Sequence, residues 1–276
     1  MTIDTRDALV SKLGNQHEKL VWDKASIATQ VAGTYCSLWR ATGIPTQAAI
    51  PAASAVCTSA LAGAHPFTNQ TDPAVSYIGW HTLQTGNANN NLEIHDRLLH
   101  FGGLVGNVTT GQNTTSCDLT VTAPAAERLG DVDYSDLSWW LEWYTATGAT
   151  ASNATVNVTY GDGTTGNLTA IAIGGTAMPA GRMTPLHTLV TNGKFIRGVN
   201  SVTLSASTGT AGNFGITCTR HRTEMSTEAV ANKTALFTYA QLGFPKIRND
   251  ACLMGLMLCT ATSTGTVKGR GKLLHG

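Results

Sequence analysis

A strict alternation of apolar and polar side chains is the feature that most restricts how this chain can fold. Val156, Val158 and Tyr160 alternate with threonine and asparagine, and residues 161–163 follow as a glycine-rich turn. Successive side chains of a β-strand point to opposite faces of its sheet, so the pattern predicts a strand with one buried face. Similar short runs between glycine-rich turns predict an antiparallel β-sandwich or barrel, and we favour a jelly-roll-like sandwich.

Three segments of the chain differ in pattern, and we predict a mainly β protein with two additions. Residues 1–75 are expected to be helical and irregular, with a helix over 6–13, capped by Asp4 or Thr5, and a second helix over 25–40. Residues 76–222 form the predicted β-sandwich domain, with the aromatic strand 139–144 at its centre. Residues 223–276 are predicted to be a C-terminal extension or arm.

The low charge of the chain restricts its partners. Charged residues make up 13% of the sequence and the formal net charge is +1, whereas soluble proteins carry roughly 25% charged residues. Such a surface suits lasting contacts with other proteins, and it offers no strong overall field for nucleic acid or lipid. No run approaches the roughly 20 apolar residues of a membrane span. We therefore predict no membrane partner and no specific nucleic acid.

The cysteines and the first residues of the chain both indicate a cytoplasmic origin. The chain does not begin with the basic and apolar segments of a secretion signal. Without a Cys-x-x-Cys pair, a zinc site is not expected. Buried free thiols are expected at synthesis, and disulfides could form later in a particle exposed to air. The sequence does not select pairs among the six cysteines, which are Cys36, Cys57, Cys117, Cys218, Cys252 and Cys259.

Patterns that mark catalytic or metal sites are absent or incomplete. The sequence has no Gly-x-Ser-x-Gly, His-Glu-x-x-His or phosphate-loop pattern. His95 and His100 lie in a dense polar cluster, but their odd separation places them on opposite faces of a strand. The aspartates of residues 131–136 lack the glycine and distal glutamate of a calcium loop. We expect neither an enzyme nor a cofactor or metal.

Interface residues are predicted from three features: an aromatic strand face, an apolar run near the C-terminus, and a glycine-rich basic tail. The second face of strand 139–144, if exposed, could stack on sugars or contact protein. One sandwich core cannot easily bury the apolar run as well, so we predict a homo-oligomer. The tail is predicted to be a flexible arm that docks on a neighbour. The predicted interface residues are Trp140, Tyr144, Leu253, Met254, Leu256, Met257, Lys268, Arg270 and Lys272.

Several stretches resemble structural proteins encoded in the genomes of tailed bacteriophages. They are residues 92–104, 139–148, 182–186, 197–205 and 208–215. These motifs are strands and turns, so the resemblance transfers no catalytic residue. It implies a virion component made in the bacterial cytoplasm.

The resemblance leaves the part of the virion open. We favour a capsid decoration or cement protein that binds the major capsid protein, and the three-fold positions of capsids favour a homotrimer. One alternative is a neck, tail or fibre-associated protein that binds host glycans. Another is a glycan hydrolase, which needs two carboxylates about 5–10 Å apart, such as two of Glu93, Asp96, Asp131, Asp133 and Glu142.

Overall fold

A computed structural model describes residues 3–15 and 17–276, so Met1, Thr2 and Gln16 of the predicted N-terminal segment lie outside it. Strands account for 44% and helices for 6% of the chain, and the sheets are antiparallel. The predicted mainly β class is therefore confirmed. Neither described helix is long and apolar enough to cross a lipid bilayer.

The described elements are short helices and strands of two to fourteen residues. The helices are α1 (Arg6–Asn15) and α2 (Ala126–Leu129), and His187–Leu189 forms a 3-10 turn. The strands are β1 (His17–Lys24), β2 (Tyr35–Ser37), β3 (Gly43–Ile44), β4 (Ala55–Val56), β5 (Ser76–Thr85), β6 (Asn91–Leu104), β7 (Gln112–Asp118), β8 (Leu137–Thr145), β9 (Asn153–Tyr160), β10 (Thr165–Asn167), β11 (Ile171–Ala172), β12 (Arg182–Pro185), β13 (Ile196–Leu204), β14 (Asn213–Ser226), β15 (Ala235–Thr238), β16 (Lys246–Ile247), β17 (Leu253–Leu258) and β18 (Val267–His275).

The chain divides into two compact units. Unit 1 comprises Met1–Ala48, Thr58–Asp96 and Arg222–Gly276, and unit 2 comprises Ala49–Cys57 and Arg97–His221. The division differs from the three predicted segments, because both ends of the chain contribute strands to unit 1. Strands β6 and β14 each supply residues to both units.

Unit 1 contains a sheet in which β18 is an inner strand. Its order is β3-β1-β18-β5-β15, and β16 also pairs with β5. In a second sheet, β17 lies between β2 and β6, and β14 pairs with β6. The predicted C-terminal arm is therefore wrong, because the last residues are held by strands on both sides. The unit has its own core, which includes Leu20, Ile78, Leu83, Leu92, Ile94, Leu253, Met257, Val267 and Leu273.

Unit 2 contains two sheets that share one core. The first has the order β10-β9-β13-β7, with β11 on β9, and the second includes β12-β8-β14, with β14 on β6 and β4 on β6. Val156 and Val158 enter the core from β9, and Trp139 and Trp143 enter it from β8. The alternation in residues 153–160 thus has the structural meaning that the sequence predicted.

The helix predictions for the N-terminal segment were right for one helix and wrong for the other. Helix α1 begins at Arg6, and Thr5 Oγ1 accepts a hydrogen bond from the Ala8 amide at 3.1 Å, as an N-cap does. It continues to Asn15, two residues beyond the predicted end. The helix predicted over 25–40 is replaced by turns and β2. Gly33 has a φ of 80°, which a right-handed helix cannot accommodate.

All six cysteines are buried, as the sequence predicted. Burial raises the pKa of Cys117 to about 12. A thiol with so high a pKa holds almost no thiolate near neutral pH, so it is a poor nucleophile.

Candidate functional site

The second face of the aromatic strand β8 is buried. Trp140 is 3% exposed and Tyr144 is 1% exposed. The Trp140 indole N–H donates to Thr219 Oγ1 at 2.9 Å, and its ring meets His187 edge-on at 5.1 Å between centroids. The prediction that Trp140 and Tyr144 form an exposed interface or sugar-stacking surface is therefore wrong. The alternation correctly grouped these side chains on one face, but it does not show that other polar groups cover that face.

An ion pair lies on the buried face of β8. The Arg97 guanidinium contacts Glu142 Oε2 at 2.7 Å, with both side chains at most 2% exposed. Arg97 also donates to Tyr144 Oη at 3.1 Å and to His100 Nδ1 at 3.3 Å, and Thr217 Oγ1 donates to Glu142 at 2.5 Å. We call Arg97, His100, Glu142, Tyr144 and Thr217 the Arg97 cluster. Burying a charge is costly unless it is paired and hydrogen-bonded, and here both charges are.

The Arg97 cluster contains His100, which is one of the two histidines singled out in the sequence. The other, His95, pairs with Glu93 Oε2 at 2.7 Å in unit 1. Burial, together with the Glu142 charge, raises the pKa of Tyr144, so its hydroxyl stays protonated and can donate. Each histidine therefore has its own local partner. Neither the Arg97 cluster nor the His95–Glu93 pair presents a carboxylate or imidazole on an open surface.

The aspartate-rich loop before β8 lies at the surface. Asp133 is exposed and accepts a hydrogen bond from the Ser135 amide at 3.0 Å. Asp136 instead pairs with Arg220 at 2.6 Å. Over residues 3–15 and 17–276, the structure contains no group of three or more His, Cys, Asp or Glu side chains that could hold a metal ion.

The apolar run near the C-terminus is buried within the chain as strand β17. Leu253, Met254, Leu256 and Met257 are all 0% exposed. Strand β17 pairs with β2 on one side and with β6 on the other. The prediction that these four residues form an interface is wrong, because their burial needs no second copy. The argument that an exposed apolar run requires an oligomer fails with it.

The basic residues near the C-terminus lie on the outward face of β18. Lys268 and Arg270 are exposed, and Lys272 is half-buried. The register with β1 places Lys19 opposite Lys272, and Asp23 opposite Lys268. Paired residues of an antiparallel sheet share a face, so the basic residues of the two strands form one surface. We call Lys19, Lys268, Arg270 and Lys272 the basic face.

The glycines between these basic residues make room for a buried histidine rather than a flexible arm. A Cβ atom at Gly269 would lie 2.5 Å from the His81 ring, and one at Gly271 would lie 2.6 Å from it. His81 is 0% exposed and stands on β5 directly opposite Gly271. Glycine is therefore required on the inner face of β18, while the outer face carries the charges.

An apolar pocket adjoins the basic face. It has a volume of about 530 Å³ and is lined by Leu13, Gly79, Trp80, Thr82, Leu236, Thr238 and Tyr239. Trp80 lies on β5 directly opposite Lys272. Leu236 is 60% exposed and Tyr239 is 39% exposed. Lys19 and Trp80 could not be predicted from the sequence, because only the pairing of β1 and β5 with β18 brings them to this surface.

Comparisons with known proteins do not identify a family. No protein-family model matches the chain, and no curated protein matches its sequence. A structure of the Gt strain of infectious bursal disease virus aligns at 11% identity and a TM-score of 0.17, covering 94% of this chain and 81% of the viral chain. The VP2 subviral particle of the same virus aligns at 11% identity and a TM-score of 0.18, with the same coverage. At these values the likeness identifies neither a fold family nor a function.

Proposed function

We propose that this chain is a non-enzymatic structural component of a bacteriophage virion, specifically a capsid decoration or cement protein. The observation that carries the proposal is the strand order of the two units. When the eight strands of a jelly roll are lettered B to I along the chain, its sheets have the orders B-I-D-G and C-H-E-F. Jelly rolls are characteristic of viral capsid domains, and they also occur in lectins and cupins.

Both units fit this order once the shortest strands are set aside. In unit 1 the matching strand orders are β1-β18-β5-β15 and β2-β17-β6-β14. In unit 2 they are β6-β14-β8-β12 and β7-β13-β9-β10. The strand order thus supports a jelly-roll sandwich in each unit, and residues 97–221 of unit 2 are inserted in sequence between the E and F strands of unit 1.

A fold alone does not determine a function, so the choice of a virion role rests on further features. The stretches that resemble tailed-phage structural proteins include β6, β8, β12 and β13. The low charge content suits permanent protein contacts. Two of the carboxylates considered for glycan hydrolysis are buried beside basic partners, since Glu142 contacts Arg97 and Glu93 pairs with His95. These features support a structural role over a catalytic one.

Purified virions of the phage that encodes this chain provide the test. We expect the chain in stoichiometric amounts in the particle by mass spectrometry, and density for two sandwiches on the outer capsid surface by cryo-electron microscopy. Deleting the gene should leave capsids that assemble but lose DNA at a lower temperature. Absence of the chain from virions would contradict the proposal. A position at the neck, tail or fibre would favour the second candidate, a glycan-binding tail component, for which the apolar pocket beside the half-buried Trp80 is the supporting observation.

We propose that the protein acts as a homotrimer that contacts the major capsid protein. Its support is no longer β17 but the low charge content of the chain, which suits lasting contacts between protein surfaces. Light scattering coupled to size exclusion should give three times the chain mass of 28.9 kDa. A monomer at micromolar concentration would show that the free protein does not form the trimer.

A further inference from the structure

We propose that the basic face of unit 1 binds single-stranded nucleic acid without sequence specificity. Phosphates would contact Lys19, Lys268, Arg270 and Lys272, and a base would lie against Trp80. The formal net charge of the whole chain is only +1, but the charges are not evenly spread. The basic face brings four basic side chains together around one acidic residue, Asp23. The inference stands apart from the proposed virion role, because it concerns binding by the isolated protein.

The basic side chains are not neutralised within the protein. Among the described residues, no carboxylate lies within ion-pair distance of any of the four, and Asp23 does not reach Lys268 although it stands opposite. Lys19 and Lys272 are directly opposite each other, an arrangement that destabilises a sheet through like-charge repulsion. Lys272 Nζ donates to the Leu13 carbonyl at 2.7 Å, in the last turn of α1, where it meets the negative end of the helix dipole but no carboxylate. An anion bound between these side chains would relieve the repulsion.

The spacing of the charges suits a linear polyanion. Lys268, Arg270 and Lys272 occupy alternate positions of β18. Alternate residues of a strand lie about 7 Å apart, so the three cations form a regular row that successive phosphates of an extended strand can follow. Arg270 lies between Val21 and Thr82 on the neighbouring strands, and neither residue shields it with charge.

The apolar pocket favours nucleic acid over an acidic peptide. Bases stack on exposed aromatic side chains next to a positively charged track, and each stacked base contributes about 1–3 kcal/mol regardless of its identity. Trp80 is in the same cross-strand row as Lys272 and forms one wall of the 530 Å³ pocket with Leu236 and Tyr239. A flat base can fill such a pocket, whereas aspartate and glutamate side chains offer it little apolar surface.

The test is binding of a fluorescein-labelled oligothymidylate of about 16 nucleotides, followed by fluorescence anisotropy with the full chain over a range of salt concentrations. The logarithm of the binding constant should fall linearly with the logarithm of salt concentration. The slope should be about −0.7 for each phosphate contacted, or roughly −2 to −3 for three or four contacts. A slope near zero would overturn the proposal.

Substitutions locate the binding to the basic face. Arg270→Glu should weaken binding by about tenfold and reduce the magnitude of the salt slope by about 1, and Trp80→Leu should weaken binding by about tenfold. The matched control is Lys246→Glu on β16, an exposed residue of the same unit with the same change of charge. It should change affinity by less than about twofold. Thermal melting verifies that each variant is folded.

Three outcomes would overturn the assignment. One is an equal loss of affinity in Arg270→Glu and Lys246→Glu, which would indicate a general charge effect. Another is unchanged affinity in Arg270→Glu. The third is displacement of the labelled oligonucleotide by polyglutamate as effectively as by unlabelled oligothymidylate, which would show that the surface recognises acidic peptides.

Discussion

Replacing Glu142 by glutamine is expected to destabilise the protein by about 3–5 kcal/mol, because the change removes the carboxylate that pairs with the buried Arg97 charge. Arg97 is 0% exposed, and its guanidinium contacts Glu142 at 2.7 Å. Water cannot reach the buried guanidinium to replace the lost interaction. The neutral amide would still fill the space of the carboxylate, so the loss reports charge rather than packing.

Urea denaturation followed by tryptophan fluorescence measures this effect, since Trp139 and Trp143 lie in the core of unit 2. The control is Glu228→Gln, which removes one partner of an exposed ion pair with Lys233. Exposed pairs contribute little, so this variant should unfold at nearly the same urea concentration as the unmodified protein. The double variant Arg97→Met with Glu142→Leu should recover part of the lost stability, because it leaves no unpaired charge. A loss below about 1 kcal/mol for Glu142→Gln would contradict the structural role of the Arg97 cluster.

The sequence predicted those parts of the fold that depend on local alternation. Strand β9 and the two faces of β8 follow directly from side-chain period, because residues two apart on a strand share a face. The exposure of those faces does not follow from period. Trp139 and Trp140 are both buried, one in the core of unit 2 and the other beside Thr219. Only tertiary contacts decide what covers each face.

The ends of the chain were mispredicted because their pairing is not local. Strand β1 pairs with β18 from the opposite end of the sequence. Its inward positions include Lys24, whose ammonium donates to the carbonyls of Ala41 and Pro45 and whose pKa burial lowers to about 8. Because Lys24 is charged but buried, the sequence of β1 does not alternate simply between apolar and polar residues. The buried glycines of β18 obscure the alternation of that strand in the same way. The basic residues of the candidate site were therefore found in the sequence, but their partners Lys19 and Trp80 were not.

Acid should destabilise unit 1 through His81. Neither ring nitrogen of His81 makes a hydrogen bond within the described part of the chain, and the side chain is 0% exposed against the β18 glycines. Burial lowers its pKa to about 3 against an opposing interaction with the Thr82 backbone, and the nearby His65 lowers it further. The unfolded chain takes up a proton on this histidine below its ordinary pKa of about 6.5, but the folded chain does not. Stability contributed by the neutral ring is therefore complete above about pH 6.5 and is lost progressively as the pH falls towards about 3.

The expected loss is about 1.4 kcal/mol for each pH unit, or roughly 3 kcal/mol between pH 6.5 and pH 4. Other groups add to the acid dependence of the whole protein, including His65, Glu18 and Asp118, whose pKa values are also lowered.

The contribution of His81 is isolated by His81→Met, which fills a similar space with a flexible apolar side chain that does not titrate. The free energy of unfolding, measured by urea denaturation at pH 7 and pH 4, should fall by about 3 kcal/mol less in this variant than in the unmodified protein. His221→Gln on β14 is the control, since that side chain is exposed, and it should retain the original pH dependence. An equal loss of stability at pH 4 in His81→Met and the unmodified protein would show that His81 does not limit the acid stability of unit 1.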